Sequence, residues 1–242
     1  MLLALPIPYM GRMKAYFFDL DGTLADSRPG LYRSFRTALA FFGIPPVTDD
    51  KLAQFLGTPL PKMFRTFRPD LNDAEVEAGM QAFRGVYEET GINENELYPG
   101  AIEMLAAARE RGVTTWIVTS KPEPQAVRVA HLLQLDRHVE DIIGAGLAET
   151  DTKTDLIARA LSAAKVAANE ALMVGDRHYD IVGANENRVL PVGALWGYGS
   201  YEELYAAGCR HFAQSPDDFR QRFIATDAGF AALPLPAAAV RA

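Results

Sequence analysis

Short apolar segments recur along this chain, and each is followed by a stretch with helical periodicity. Six segments are apolar or rich in β-branched residues and too short for helices: residues 15–19, 113–118, 141–144, 171–174, 190–193 and 210–212. Helices are expected over residues 101–111, 124–133, 154–164, 180–185 and 201–207, and a last one from Ser215. Strands that alternate with helices are typical of βα units. The pattern therefore predicts an α/β fold: a Rossmann-like parallel sheet with helices on both faces.

Residues 28–97 interrupt this alternation. Four stretches have Phe, Leu and Met at helical spacing: residues 31–42, 49–56, 60–67 and 73–90. No strand is expected among them. A helical insert after the first strand predicts a small all-helical cap domain, with a catalytic core formed by residues 14–27 and 98–225. Residues 1–13 and 226–242 are predicted to be a flexible extension and a flexible tail.

Composition excludes several classes of function. The 242 residues carry a formal net charge of −7, which disfavours a broad nucleic-acid surface. The single cysteine, Cys209, excludes an internal disulfide and a multi-cysteine metal site, and it fits a reducing compartment. No segment reaches the ~18–20 continuous apolar residues of a membrane span. We expect a cytoplasmic monomer or homodimer that binds neither nucleic acid nor membrane.

The first apolar segment ends in two acids, within Asp19-Leu-Asp-Gly-Thr23. Residues i and i+2 of a strand point to the same side, so Asp19 and Asp21 should approach each other at the carboxyl end of the strand. Open α/β sheets bind their ligands at that end. Two carboxylates so close need a cation or a shared proton. The alternative is a solvated turn, because Asp-Gly is a common turn pair.

A later apolar segment also ends in acids, with Asp176 after Gly175 and Asp180 four residues further on. Asp176 beside Asp19 would offer oxygen ligands to a hard cation such as Mg²⁺. Asp180 could instead be a helix N-cap.

Hydroxyl groups and a lysine complete the candidate site. Thr119 and Ser120 follow the second apolar segment, and hydroxyls at a strand end suit phosphate oxygens. Lys153 stands just before a helix, where a cation is electrostatically misplaced unless it serves a nearby anion. Taken singly, each of these residues is also common in surface loops.

Together the four motifs resemble the haloacid dehalogenase superfamily over about residues 14–222. The matching segments are Asp19-Leu-Asp-Gly-Thr23, Thr119-Ser120, Lys153 and Gly175-Asp176-Arg-His-Tyr-Asp180. The resemblance implies a phosphatase in which Thr119 or Ser120, together with Lys153, holds the non-bridging oxygens of the substrate phosphate.

The same resemblance implies the roles of the acids. Asp19 would attack phosphorus and form an aspartyl-phosphate, and Asp21 would act as general acid and then as general base. Mg²⁺ would be held by Asp19, by the backbone carbonyl of Asp21 and by Asp176, with Asp180 in support. Because the second acid, Asp21, is retained, a dehalogenase is not expected.

The substrate is expected to be a small phosphorylated metabolite. The pattern is similar to phosphoglycolate phosphatases and to a neighbouring group of 5′-nucleotidase-like phosphatases. Residues 57–62 correspond to the position of the family's cap substrate loop, so Lys62 or Arg65 could contact a second charge on the substrate. The alternatives are a β-phosphoglucomutase-like phosphotransferase and a binding module on an inactive phosphatase fold.

Overall fold

The structure is a computed structural model that describes residues 13–225. The predicted tail at residues 226–242, and residues 1–12 of the predicted extension, lie outside the described residues. Met13 is described, and its side chain is buried in the main hydrophobic core. Among residues 13–225, no helix is long and apolar enough to cross a membrane.

A parallel sheet forms the centre of the fold. The strands of the chain are β1 (Ala15–Phe18), β2 (Ala25–Asp26), β3 (Glu96–Leu97), β4 (Thr114–Pro122), β5 (Asp141–Ala145), β6 (Ala171–Gly175), β7 (Leu190–Ala194) and β8 (Phe212–Ala213). Six of them pair in the order β5-β4-β1-β6-β7-β8, and every pair is parallel. The catalytic strand predicted from sequence, β1, therefore lies between β4 and β6.

Helices cover both faces of this sheet, as predicted. Their bounds are α1 (Arg28–Phe41), α2 (Asp49–Ala53), α3 (Leu60–Phe67), α4 (Asp73–Glu89), α5 (Ala101–Glu110), α6 (Glu123–Leu132), α7 (Lys153–Ala164), α8 (His178–Glu186), α9 (Tyr201–Ala206) and α10 (Pro216–Phe219). The predicted start of the last helix is confirmed, since Ser215 is the N-cap of α10 and accepts a hydrogen bond from the Asp218 amide.

Alternate residues of β1 serve the two faces of the sheet. Tyr16 and Phe18 pack on one side against Phe219 of α10, with ring centroids 5.9 and 5.8 Å apart. Phe17 points to the other side and joins a core with Leu156 of α7. Burial of each such side chain contributes about 1.5–3 kcal/mol. This burial on both faces fixes the register of β1 against its neighbouring strands. It therefore also fixes the position at the end of the sheet where the chain leaves β1.

The helical block (residues 28–97) packs largely through aromatic side chains. The ring of Phe35 on α1 lies 5.4 Å from that of Phe83 on α4. At the start of α4, Asn72 and Glu75 exchange hydrogen bonds in a capping box. The expectation of no strand here was wrong in one place, because β3 pairs antiparallel with β2. A two-residue strand is too short to leave a periodic pattern in the sequence.

Candidate active site

The chain leaves β1 at Asp19, a carboxylate that is only 8% exposed. Its Oδ1 accepts a hydrogen bond from the Leu20 amide at 2.8 Å. Lys153 Nζ lies 3.1 Å from the same oxygen. The Asp19 amide donates to the carbonyl of Val174 on β6, which ties this residue to the neighbouring strand. Two backbone groups, the Leu20 amide and the Val174 carbonyl, thus hold Asp19 at the carboxyl end of the sheet.

Asp176 is fully buried directly behind Asp19, after the end of β6. The Thr23 hydroxyl donates to its Oδ1 at 3.0 Å, and the Tyr198 amide donates to its Oδ2 at 2.8 Å. Two glycines make room for this side chain. A Cβ on Gly22 would lie 2.3 Å from Asp176 Oδ2, and one on Gly197 would lie 2.2 Å from Asp176 Cβ. The carboxylate therefore has a fixed position.

Three buried acids, Asp19, Asp176 and Asp180, present carboxylate oxygens that all lie within 4.8 Å of one another. The predicted convergence of Asp19 and Asp176 is confirmed. Two ligands bonded to one Mg²⁺ at ~2.1 Å are at most ~4.2 Å apart, so a small inward shift brings the oxygens into coordination. An all-oxygen, anionic donor set suits a hard divalent cation. The residues present therefore fit a site for such an ion.

The pKa values of Asp19 and Asp176 also favour a bound cation at this site. Burial is the largest cause that raises the pKa of Asp19 to about 6, Lys153 lowers it, and the neighbouring acids Asp180 and Asp21 raise it further. Burial, followed by the charges of Asp180 and Asp19, holds the pKa of Asp176 well above its usual range. Each carboxylate is thus destabilised in its charged form by its environment. A bound cation would remove this cost.

Lys153 is a buried cation surrounded by acceptors. Its Nζ lies 2.9 Å from Asp180 Oδ1 and 3.1 Å from Asp19 Oδ1, and it donates to the Val118 carbonyl at 3.0 Å. Burial lowers the lysine's pKa, but the two carboxylates outweigh it and the pKa is raised. Lys153 is the first residue of α7, where a cation is electrostatically unfavourable. The carboxylates of Asp19 and Asp180 compensate for this position.

Asp180 is not the N-cap that the sequence allowed as an alternative. It lies within the first turn of α8, and its Oδ2 accepts a hydrogen bond from the amide of the actual N-cap, Arg177, at 3.0 Å. A Cβ on Gly175 would lie 2.2 Å from Asp180 Cγ, so the acid packs directly on the end of β6. Asp180 belongs to the acidic cluster itself.

Thr119 and Ser120 line the same pocket as Asp19, Asp21 and Lys153. The Thr119 side chain is almost fully buried, and its hydrogen bond to Asp19 contributes to lowering the pKa of that acid. All of the predicted phosphate-binding side chains therefore surround one space of about 820 Å³, part of which is open to solvent.

Sequence reasoning missed Lys121, a second buried lysine in this pocket. Its Nζ lies 2.6 Å from Asp21 Oδ2 and 4.8 Å from the centre of the Tyr87 ring. The Ser27 hydroxyl donates to the other oxygen of Asp21. The spacing between Thr119 and Lys121 in the sequence could have identified this lysine. Since β4 continues to Pro122, Lys121 stands two positions after Thr119, and i and i+2 share a side of a strand.

The helical block forms part of the pocket wall. Its lining residues are Leu31, Phe35, Phe83 and the segment from Gly57 to Leu60. Lys62 and Arg65 are not among them. Arg65 pairs with Asp73 at 2.5 Å, and Lys62 is exposed beside the Tyr179 hydroxyl. The buried side of α3 is formed by Leu60, Met63 and Phe64, and Lys62 lies against Tyr179, which lines the pocket.

Fold and site together define a phosphoric monoester hydrolase. A family model described as "Haloacid dehalogenase-like hydrolase" matches residues 16–193, and the chain belongs to this family. The resemblance noted in the sequence motifs is thereby confirmed.

Three individual comparisons show where the chain stands within the family. It is 38% identical over 206 residues to a 5′-nucleotidase of Pseudomonas aeruginosa, covering 84% of this chain and 92% of that one. It is 29% identical to phosphoglycolate phosphatase 1 of the same organism, covering 75% and 69% of the two chains. The solved structure of a predicted phosphatase from Clostridium acetobutylicum matches with a TM-score of 0.84 at 29% identity, covering 89% of this chain and all of that one.

Proposed function

We propose that this protein is a Mg²⁺-dependent phosphatase that hydrolyses a small phosphate monoester through an aspartyl-phosphate at Asp19. One observation carries the proposal. Three buried carboxylates lie within 4.8 Å of one another beside a buried lysine at the carboxyl end of a parallel sheet, and two of them, Asp19 and Asp180, line a pocket that is partly open to solvent. A bound Mg²⁺, held by Asp19, Asp176 and Asp180 and by the backbone carbonyl of Asp21, would neutralise charge so that an anionic ester can approach an anionic nucleophile.

The reaction then takes two steps. In the first, a carboxylate oxygen of Asp19 bonds to phosphorus, the bond from phosphorus to the alcohol oxygen breaks, and Asp21 donates a proton to that oxygen. In the second, Asp21 takes a proton from a water molecule whose oxygen bonds to phosphorus. The acyl-phosphate bond breaks, and phosphate and the Asp19 carboxylate are released. Acid and base work of this kind contributes ~10²–10⁴ in rate.

The remaining residues of the pocket position the phosphate. Lys153, Thr119 and Ser120 present an ammonium group and two hydroxyls around Asp19, which suits the non-bridging oxygens. Phosphoryl transfer depends mainly on such positioning and on charge stabilisation.

The proposed substrate is a small phosphorylated metabolite, and the enzyme is proposed to be phosphoglycolate-phosphatase-like. A 5′-nucleotidase-like activity is the alternative, favoured by the relative of that name at 38% identity. A β-phosphoglucomutase-like transferase remains a further alternative because it shares the core motifs. A binding module on an inactive phosphatase fold is disfavoured because Asp19, Asp21, Lys153 and Asp176 are all present. A cytoplasmic monomer or homodimer without nucleic-acid or membrane partners stays a prediction from sequence.

The test combines turnover with trapping of the intermediate. Phosphate release from a panel of phosphate esters, among them phosphoglycolate and a nucleoside monophosphate, is measured with Mg²⁺ and with EDTA. Borohydride reduction of an acyl phosphate during turnover, followed by peptide mass spectrometry, should then mark Asp19. Turnover that is unchanged in EDTA, or a mark on another residue, would contradict the proposal.

A further inference from the structure

Lys121 is a buried cation that the mechanism proposed above does not use. Only 3% of its side chain is exposed, and its Nζ lies 2.6 Å from Asp21 Oδ2. The ammonium group also lies 4.8 Å from the centre of the Tyr87 ring, on α4 of the helical block. The Lys121 amide donates to Thr119 Oγ1 at 3.3 Å, which ties the residue to the end of β4. The lysine is therefore fixed between an acid of the core and an aromatic ring of the helical block.

Both oxygens of the Asp21 carboxylate are held by hydrogen-bond donors. Lys121 donates to Oδ2, and the hydroxyl of the buried Ser27 donates to Oδ1. Ser27 is the N-cap of α1, yet among the described residues of this helix no amide donates to its hydroxyl. The Ser27 amide donates to the Tyr198 hydroxyl at 2.8 Å, so the serine itself is anchored. The Asp21 side chain is 17% exposed and still has a fixed orientation.

Stability alone is a poor explanation for this lysine. A buried ion pair gains little over well-packed apolar side chains, because both charges lose their hydration. The proposed mechanism supplies a better reason. Asp21 has to give a proton to the leaving oxygen in the first step and to take one from water in the second. Both transfers depend on how its carboxylate is oriented.

We propose that Lys121 is a positioning residue, which holds Oδ2 of Asp21 so that Oδ1 gives and takes the proton of the reaction. This inference rests on the proposed phosphatase function. An ammonium group offers three donors and no acceptor, so the oxygen beside it stays an acceptor in both steps. The hydroxyl of Ser27 can donate to Oδ1 or accept from it, and it therefore suits that oxygen with or without its proton. Lys121 itself neither gains nor loses a proton.

The test uses two aryl phosphates that differ in how much their leaving group needs an acid. The 4-nitrophenolate anion is stable and leaves without a proton, whereas the more basic phenolate benefits from protonation as it leaves. The kcat/KM of each ester is measured with Mg²⁺ for the wild type, Lys121→Met, Lys121→Gln, Asp21→Asn and the double variant Asp21→Asn/Lys121→Met. Because kcat/KM covers only the steps up to the aspartyl-phosphate, it reports the acid role of Asp21 alone. Lys51→Met, at an exposed lysine of α2, is the matched control.

We expect Lys121→Met to lower kcat/KM for phenyl phosphate at least about tenfold more than for 4-nitrophenyl phosphate. Lys121→Gln keeps a neutral donor and should show the same ester dependence with a smaller loss, which provides the comparison if the methionine variant does not fold. The double variant should lose no more on phenyl phosphate than Asp21→Asn alone, because a residue that acts through Asp21 then has no acid left to orient. Lys51→Met should match the wild type.

A second measurement addresses the base role of Asp21. During turnover of 4-nitrophenyl phosphate, rapid-quench mass spectrometry should find more phosphorylated Asp19 in Lys121→Met than in the wild type. The reason is that activation of water in the second step depends on the same orientation of the carboxylate, whichever ester formed the intermediate.

Other results overturn the inference. Equal losses on the two esters in the folded Lys121 variants would mean that the lysine supports the phosphate or the fold and not the acid. Losses that multiply in the double variant would mean that it acts independently of Asp21. Lys121→Met kinetics like those of the wild type would refute the assignment outright. Absence of Mg²⁺-dependent hydrolysis by the wild type, on these esters and on the broader panel, would instead refute the phosphatase function on which the inference rests.

Discussion

Asp19→Asn should make the folded protein more stable than the wild type when Mg²⁺ is absent, and less stable than the wild type when Mg²⁺ is added. The pKa of Asp19 is raised from 3.8 to about 6, chiefly by burial. A difference of about two pKa units corresponds to about 3 kcal/mol that the folded protein loses when this acid is ionised at neutral pH. Asparagine has nearly the same shape and cannot ionise. In EDTA the variant should therefore be about 1–3 kcal/mol more stable than the wild type.

The pH dependence gives this prediction a definite sign. Because the raised pKa belongs to the folded state, the folded wild type takes up its proton first as the pH falls. The advantage of Asp19→Asn should therefore be largest above about pH 6, shrink as the pH falls from about 6 to about 4, and disappear below about pH 3, where both states are protonated. With Mg²⁺ at about 1,000 times its Kd the order should reverse, because binding then stabilises the wild type by about 4.1 kcal/mol, more than the advantage of the variant.

Urea unfolding, followed by the fluorescence of Trp116 and Trp196, measures these differences. The exposed Asp50 on α2 provides the control, and Asp50→Asn should change stability by less than about 0.5 kcal/mol with or without the metal. Phosphate release measured on the same samples should show no turnover by Asp19→Asn. A variant that is less stable than the wild type in EDTA would show that Asp19 is not destabilised by its burial. Retained turnover would show that it is not the nucleophile.

Four further predictions concern the site and the helical block. Asp21→Asn should slow steady-state turnover by ~10²–10⁴, while rapid-quench mass spectrometry still detects phosphorylated Asp19; full turnover would exclude Asp21 as the acid and base. Calorimetric Mg²⁺ titrations should show affinity that weakens as the pH falls below about 6, because the pKa of Asp19 lies there and a protonated carboxyl is a poor ligand; a constant affinity would contradict the ligand assignment. Replacing Lys62 or Arg65 by Ala should leave the ratio of kcat/KM between phosphoglycolate and a nucleoside monophosphate unchanged, since neither side chain lines the pocket; a shifted ratio would restore the expectation from sequence. Asn72→Ala should lower the free energy of unfolding by about 1 kcal/mol through loss of the capping box, and an unchanged urea midpoint would argue against it.

Much of the site could be predicted because parallel strands end at a common edge. Asp19, Thr119 and Asp176 each follow a short buried segment, and the strand order brings those segments side by side. Once the segments are recognised as neighbouring parallel strands, their carboxyl ends must lie side by side at one edge of the sheet. No knowledge of distant packing is needed.

The remaining parts depend on packing that a local pattern does not encode. Lys121 was missed because β4 runs four residues beyond its apolar segment, and polar residues at a strand end resemble a loop. Glu149 was missed as a pocket residue because the groups that hold it there, the Leu60 amide and Arg84, are distant in sequence. Neither Lys62 nor Arg65 lines the pocket, and their contact with a substrate stays a prediction, because sequence gives the position of α3 along the chain and not the side it turns to the pocket.

The place of β1 in the sheet has a consequence for how the chain matures during synthesis. Ala15 pairs with Thr114, 99 positions later, and with Ala171, 156 positions later. At about 5–20 residues per second, β1 leaves the ribosome roughly 8–30 s before its second neighbour has been made. For about the first 5–20 s of this interval, until β4 has been made, its four apolar residues have no sheet partner. The helices of the block in between, by contrast, pack through contacts closer in sequence. The nascent chain is therefore expected to need protection at its first strand for longest.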